Sequence, residues 1–126
     1  MKRLIIDLDD TLTLSADGGY ANALPNLAVV ARLHDYRAAG FEVVIHTSRN
    51  MRTYDGNIGK INVHTLPPIL AWLERHGVPF DEVLVGKPWC GLEGFYIDDR
   101  AVRPSEFLRH RLPAIYRLLA AERTGG

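Results

Sequence analysis

The chain has 126 residues, 47% hydrophobic and 24% charged, which suits one globular domain, 1–126, with an ordinary core. Lys+Arg and Asp+Glu both count 15, so the formal net charge is zero and the basic excess of a general nucleic-acid or anionic-membrane surface is missing. One cysteine, Cys90, excludes an intrachain disulfide and fits a reducing compartment. The apolar run after Lys2 and Arg3 stops at Asp7, too early for a signal peptide. No stretch approaches the roughly 20 apolar residues of a membrane span, so a cytoplasmic location is expected.

Residues 3–8 read as a buried strand that ends in carboxylates. Asp7, Asp9 and Asp10 place three negative charges within four residues, which calls for a cation among them unless the segment is simply an acidic turn. Residues 11–24 read as a loop, with Asp17-Gly18-Gly19 turning a small β-flap. A helix follows over 25–39, with Pro25 in its first turn, Leu27, Val30 and Ala31 near helical spacing, and Gly40 as its stop. Residues 41–46 form a second strand, apolar enough to be buried on both faces.

Residues 47–64 read as a long functional connection, polar and without a clear period. Thr65 caps a helix over 66–76, with Pro67 and Pro68 in its first turn and Leu66, Ile69, Leu70 and Leu73 as its stripe. Strands at 82–85 and 94–97 follow, then two short helices, 105–110 and 113–121, broken at Pro113. The order, βαβαββα, implies an α/β fold with a parallel sheet, helices on both faces, and a site at the strands' C-terminal ends.

The residues after each strand converge on one edge of such a sheet. The first strand delivers Asp7 and Asp9, the second Thr47 and Ser48, the third Lys87 and the fourth Asp98 and Asp99. Singly these are ordinary caps and turns. Together they suit phosphoryl transfer: carboxylates hold Mg²⁺, while a hydroxyl and an ammonium hold the phosphoryl oxygens.

The run Asp7-Leu8-Asp9-Asp10-Thr11 resembles the DxDx(T/V) signature of the haloacid dehalogenase superfamily of phosphatases. Thr47 matches its second motif, Lys87 its third and Asp98-Asp99 its fourth. More narrowly, residues 45–54 and Gly86-Lys87-Pro88-Trp89-Cys90-Gly91 resemble small phosphatases of capsule and surface-polysaccharide biosynthesis. The resemblance implies a three-layer Rossmann-like fold with a minimal cap or none. It implies Asp7 as nucleophile and metal ligand, and Asp9 as general acid and base, its carbonyl also on Mg²⁺. Thr47 would donate to the phosphoryl group with the Ser48 N–H, and Lys87 would neutralise nucleophile and phosphate. Asp99 is favoured as direct metal ligand with Asp98 orienting; the reverse assignment stays open.

The family places a helix between its lysine and its fourth motif. Here 11 residues lead from Lys87 to Asp98, so the lysine sits on a short turn or is placed differently. Short inserts leave the site open, with a homo-oligomer partner as the candidate cover. Arg49, nearest to Thr47, is expected to meet an anionic part of a small phosphorylated metabolite. The rivals are a catalytically silent binding module and a receiver-type signalling domain. A receiver places its acceptor Asp after a middle strand and ends with Lys, whereas here an Asp pair follows Lys87.

Overall fold

The computed structural model describes residues 1–14 and 19–123. The chain divides into two compact units, Met1–Trp89 and Cys90–Gly126. The first unit holds a parallel sheet of β1 (Arg3–Ile6), β2 (Glu42–His46) and β3 (Glu82–Leu84), in the order β1-β2-β3. Val43, Val44 and Ile45 of the central strand are all buried, so both faces of β2 are covered. Asp81 locks the start of β3 to β2. Its N–H donates to the Val43 carbonyl at 2.8 Å, its carboxylate accepts from the Val43 N–H at 2.8 Å, and Arg37 pairs with that carboxylate at 2.7 Å.

Helix α1 spans Leu27–Ala38 and buries Val29, Val30, Leu33 and Tyr36. Pro25 lies outside it, because the Asn26 side chain caps the helix by accepting from the Val29 N–H; Leu27, expected in the stripe, is exposed. Gly40 takes φ 94°, the left-handed stop expected from sequence. The long connection is not structureless: α2 (Ile58–His64) lies within it, capped by Asn57 and buried through Ile61. Helix α3 (Leu66–Arg75) has Pro67 and Pro68 in its first turn and buries Ile69, Trp72 and Leu73. Thr65 does not cap α3 with its side chain. It has helical angles, and its hydroxyl donates to Asn50 Oδ1 at 2.8 Å instead. The Trp72 indole N–H reaches the Ala23 carbonyl at 2.9 Å, tying α3 to the segment before α1.

The expected flap is an isolated antiparallel bridge, Thr13 to Pro25, with the Leu14 N–H donating to the Leu24 carbonyl; a 3-10 turn at Tyr20–Asn22 follows. Of the expected Asp17-Gly18-Gly19 turn, Asp17 and Gly18 lie outside the described residues.

The expected fourth strand is corrected: residues 94–97 form none, and among the described residues the sheet has three strands. Only nine residues, 85–93, separate them from β3, whereas a parallel crossover takes about a dozen or more. A turn at 91–93 leads instead to Gly94, where a Cβ would collide with the Cys90 carbonyl oxygen. The second unit also holds α4 (Pro104–Arg109) and α5 (Leu112–Arg123). The break falls at His110 and Arg111, and Pro113 sits in the first turn of α5, where a missing N–H costs little. No helix among the described residues is long and apolar enough to cross a membrane.

Candidate functional site

The carboxylates at the end of β1 are held by a tight loop. The Leu8 carbonyl accepts from the N–H groups of Thr11, Leu12 and Thr13, while the side chains of Leu8 and Leu12 are buried beneath. Asp10 takes φ 63°, a left-handed conformation Asp tolerates better than most residues, and its N–H donates to Thr13 Oγ1 at 3.0 Å. Asp10 thus stands in a turn, between Asp9 and Thr11.

Asp7 has two distinct neighbours. Thr11 Oγ1 donates to its Oδ2 at 3.0 Å, and Lys87 Nζ stands 3.6 Å from its Oδ1. Lys87 follows Gly86 in a stretch that is neither helix nor strand, and Gly86 takes φ 87°, a left-handed angle that favours glycine.

Thr47 is 1% exposed. Its N–H donates to the Leu84 carbonyl at 2.9 Å, and its own carbonyl accepts from the Lys87 N–H at 3.1 Å. The ends of β2 and β3 are therefore stitched together through the two residues expected to grip a phosphoryl group. Thr47 Oγ1 accepts from the Arg49 N–H at 3.0 Å, leaving its proton for another acceptor. Ser48 lies between them, its carbonyl accepting from the Met51 N–H.

Arg49 is 7% exposed and is engaged within the protein itself. Its guanidinium grips Asp9 with two hydrogen bonds, NH2 to Oδ1 at 2.6 Å and Nε to Oδ2 at 3.2 Å, and lies 4.1 Å from the Tyr20 ring centroid. This fork geometry with an aromatic backstop is one that lysine does not reproduce. Thr11 and Tyr20 are the two participants to which sequence reasoning gave no role. Thr11 stood inside the acidic motif, and Tyr20 carried no signal beyond an aromatic ring in a polar loop.

His46, the residue before Thr47, has its pKa lowered. Burial is the main cause and the Lys87 charge adds to it, while Asp7 pulls the other way. Its imidazole is therefore held neutral more firmly than usual.

The first unit thus gathers Asp7, Asp9, Thr47, Ser48, Arg49 and Lys87 at the C-terminal ends of its strands. Asp98 and Asp99 belong to the second unit, both exposed, with Asp98 Oδ1 accepting from the Arg100 N–H at 2.7 Å. Asp7 and the Asp9 carbonyl are hard oxygen donors of the kind Mg²⁺ takes. Among the described residues no group of three His, Cys, Asp or Glu stands together to hold a metal.

No family model and no curated protein matches the chain. The chain is similar to a crystal structure of a structural-genomics target from Vibrio cholerae, with 61% identity and a TM-score of 0.94 over 97% of this chain and 99% of that one. At that identity and coverage the two chains belong to one family.

Proposed function

We propose that this member of the family is a phosphomonoester hydrolase that works through an aspartyl-phosphate and takes Mg²⁺ as cofactor. The observation that carries the reading is the Lys87 ammonium 3.6 Å from the Asp7 carboxylate, with Thr47 joined to the lysine by a backbone hydrogen bond. A carboxylate nucleophile, a cation beside it and a hydroxyl at the next strand end match the needs of in-line attack on phosphorus.

Asp7 attacks phosphorus, and the ester oxygen leaves as the alcohol with the proton that Asp9 supplies. Asp9 then takes a proton from the water that cleaves the aspartyl-phosphate, restoring both carboxyl groups. The Thr47 hydroxyl, the Ser48 N–H and the Lys87 ammonium hold the phosphoryl oxygens. Mg²⁺, when bound, lowers the repulsion between carboxylate and phosphate; Asp7 and the Asp9 carbonyl would hold it, with Asp98 and Asp99 as the remaining candidates. Arg49 keeps the Asp9 carboxylate in place between turnovers. The substrate class that fits an open strand-end site is a sugar phosphate or similar small metabolite, and the resemblance to surface-polysaccharide phosphatases supports that choice.

The test is hydrolysis of a panel of sugar phosphates and nucleotides with and without Mg²⁺, beside an Asp7→Asn control. Mg²⁺-dependent release of phosphate that disappears in the control is expected. Hydrolysis by the control at the parent rate overturns the mechanism, and silence across the panel favours a binding module.

A further inference from the structure

We propose that residues 94–99 of one copy of this chain complete the site of a second copy. The segment 94–97 adds as a strand to the free edge of β1, and the following Asp98 and Asp99 reach the partner copy's acidic loop. The role of the carboxylates rests on the phosphatase reading; the pairing rests on chain geometry alone.

The receiving edge is β1. Among the described residues β1 pairs with β2 only, and Ile5 at its middle is 59% exposed. An edge strand with unpaired backbone groups and an exposed isoleucine at its middle is a template for pairing with another chain. The donated segment is Gly94-Phe95-Tyr96-Ile97, whose last three residues are strong β-formers, and it makes no strand in this structure. Phe95 is 76% exposed and Ile97 89%, and nearby Leu92 is 89% exposed. Residues of this kind rarely face water together unless something covers them.

The connection is too short to place that strand beside β1 of its own chain. Lys87 donates its N–H to the Thr47 carbonyl and stands at Asp7 with its ammonium, so the crossing falls to residues 88–93. Parallel neighbours in one sheet are joined by a crossover of about a dozen residues or more, and the six residues 88–93 fall short of that. A second copy removes the constraint, which is the usual logic of an exchanged element on a short hinge. Burying Ile5, Leu92, Phe95 and Ile97 reciprocally takes on the order of 1,000 Å² of apolar surface from water, at the threshold of a specific interface.

Three arms test the proposal. Light scattering at micromolar concentration should give a multiple of the 14.1 kDa chain mass, and a monomer overturns the idea. In a Cys90→Ser background, an Ile5→Cys chain mixed with an Ile97→Cys chain should form a disulfide-linked dimer that neither forms alone; folding of each is checked by its melting curve. Failure to cross-link from folded chains overturns the pairing. Third, an Asp7→Asn chain co-expressed with an Asp98→Asn/Asp99→Asn chain rebuilds one intact site per mixed dimer, so about a quarter of parent activity returns from two inactive chains. No recovery from verified mixed dimers shows that the Asp pair acts within its own chain. Cross-linking by a protein that hydrolyses nothing sinks the phosphatase reading and supports the interface; hydrolysis by a strict monomer does the reverse.

Discussion

The two acidic segments of this chain are built in opposite ways. The loop after β1 carries Asp7, Asp9 and Asp10, and every one is tied to a neighbour: Asp7 to Thr11 and Lys87, Asp9 to Arg49, Asp10 through its N–H to Thr13. The pair Asp98-Asp99 is exposed, and Asp98 spends its carboxylate on the N–H two residues on. The first segment is held before any ligand arrives; the second is a short turn presented outward. Charge count alone does not make a site. Carboxylates become chemical tools where the fold fixes their geometry, and the fixing residues are cations and hydroxyls from other strand ends.

Substitutions break this contrast in graded steps. Asp7→Asn, which keeps the shape and removes the nucleophile, should lower kcat by at least about 10⁴-fold with little change in melting temperature. Asp9→Asn should cost about 10²- to 10⁴-fold, the usual range for a lost general acid, measured on the same substrate. Arg49→Ala leaves the Asp9 carboxylate without its fork. A fully buried pair broken this way costs about 3–5 kcal/mol, but Asp9 is 30% exposed, so about 2 kcal/mol is expected in denaturant unfolding.

His46 gives a smaller, pH-dependent effect. Its folded pKa lies below the unfolded value, so protonation favours the unfolded chain. The associated stability is present above the unfolded value of about 6.5 and is lost as pH falls from there through the folded pKa. Unfolding curves of the parent and a His46→Asn variant should converge in their pH slope above that value and separate below it. Smallest of all, Asp98→Ala should move stability by less than about 0.5 kcal/mol, since it removes one exposed turn bond. A loss comparable to that of Arg49→Ala would show that the second acidic segment is as firmly built in as the first.

Much of the first unit was legible because its signals are local. The run Val43-Val44-Ile45 reads as a doubly buried strand, Gly40 ends a helix, and Pro67-Pro68 open one. Helix α2 was not legible: seven residues with Ile61 as the single buried side chain give no period to count. Thr65 looked like a cap because threonine often is one, but the preceding helix runs through it and Asn50 takes its hydroxyl. The expected strand at 94–97 had the right composition, yet strand formation depends on reaching a partner, and connection length governs that. In the site, Lys87 and Thr47 were legible from their places after strands. The grip of Arg49 on Asp9 joins residues 40 positions apart, and the aromatic backing by Tyr20 has no sequence pattern of its own.

The backbone bond between Thr47 and Lys87 makes the hydroxyl and the ammonium parts of a single mechanical unit. Leu84 secures the same threonine from the neighbouring strand, and Gly86 holds a left-handed φ of 87° just before the lysine. A shift of the β3 end therefore drags both groups by a similar amount instead of opening one against the other. Changes of ligand preference cannot come cheaply from this corner. They fall to the exposed side chains after Arg49, such as Arg52 and Thr53, which lie outside the Thr47–Lys87 unit.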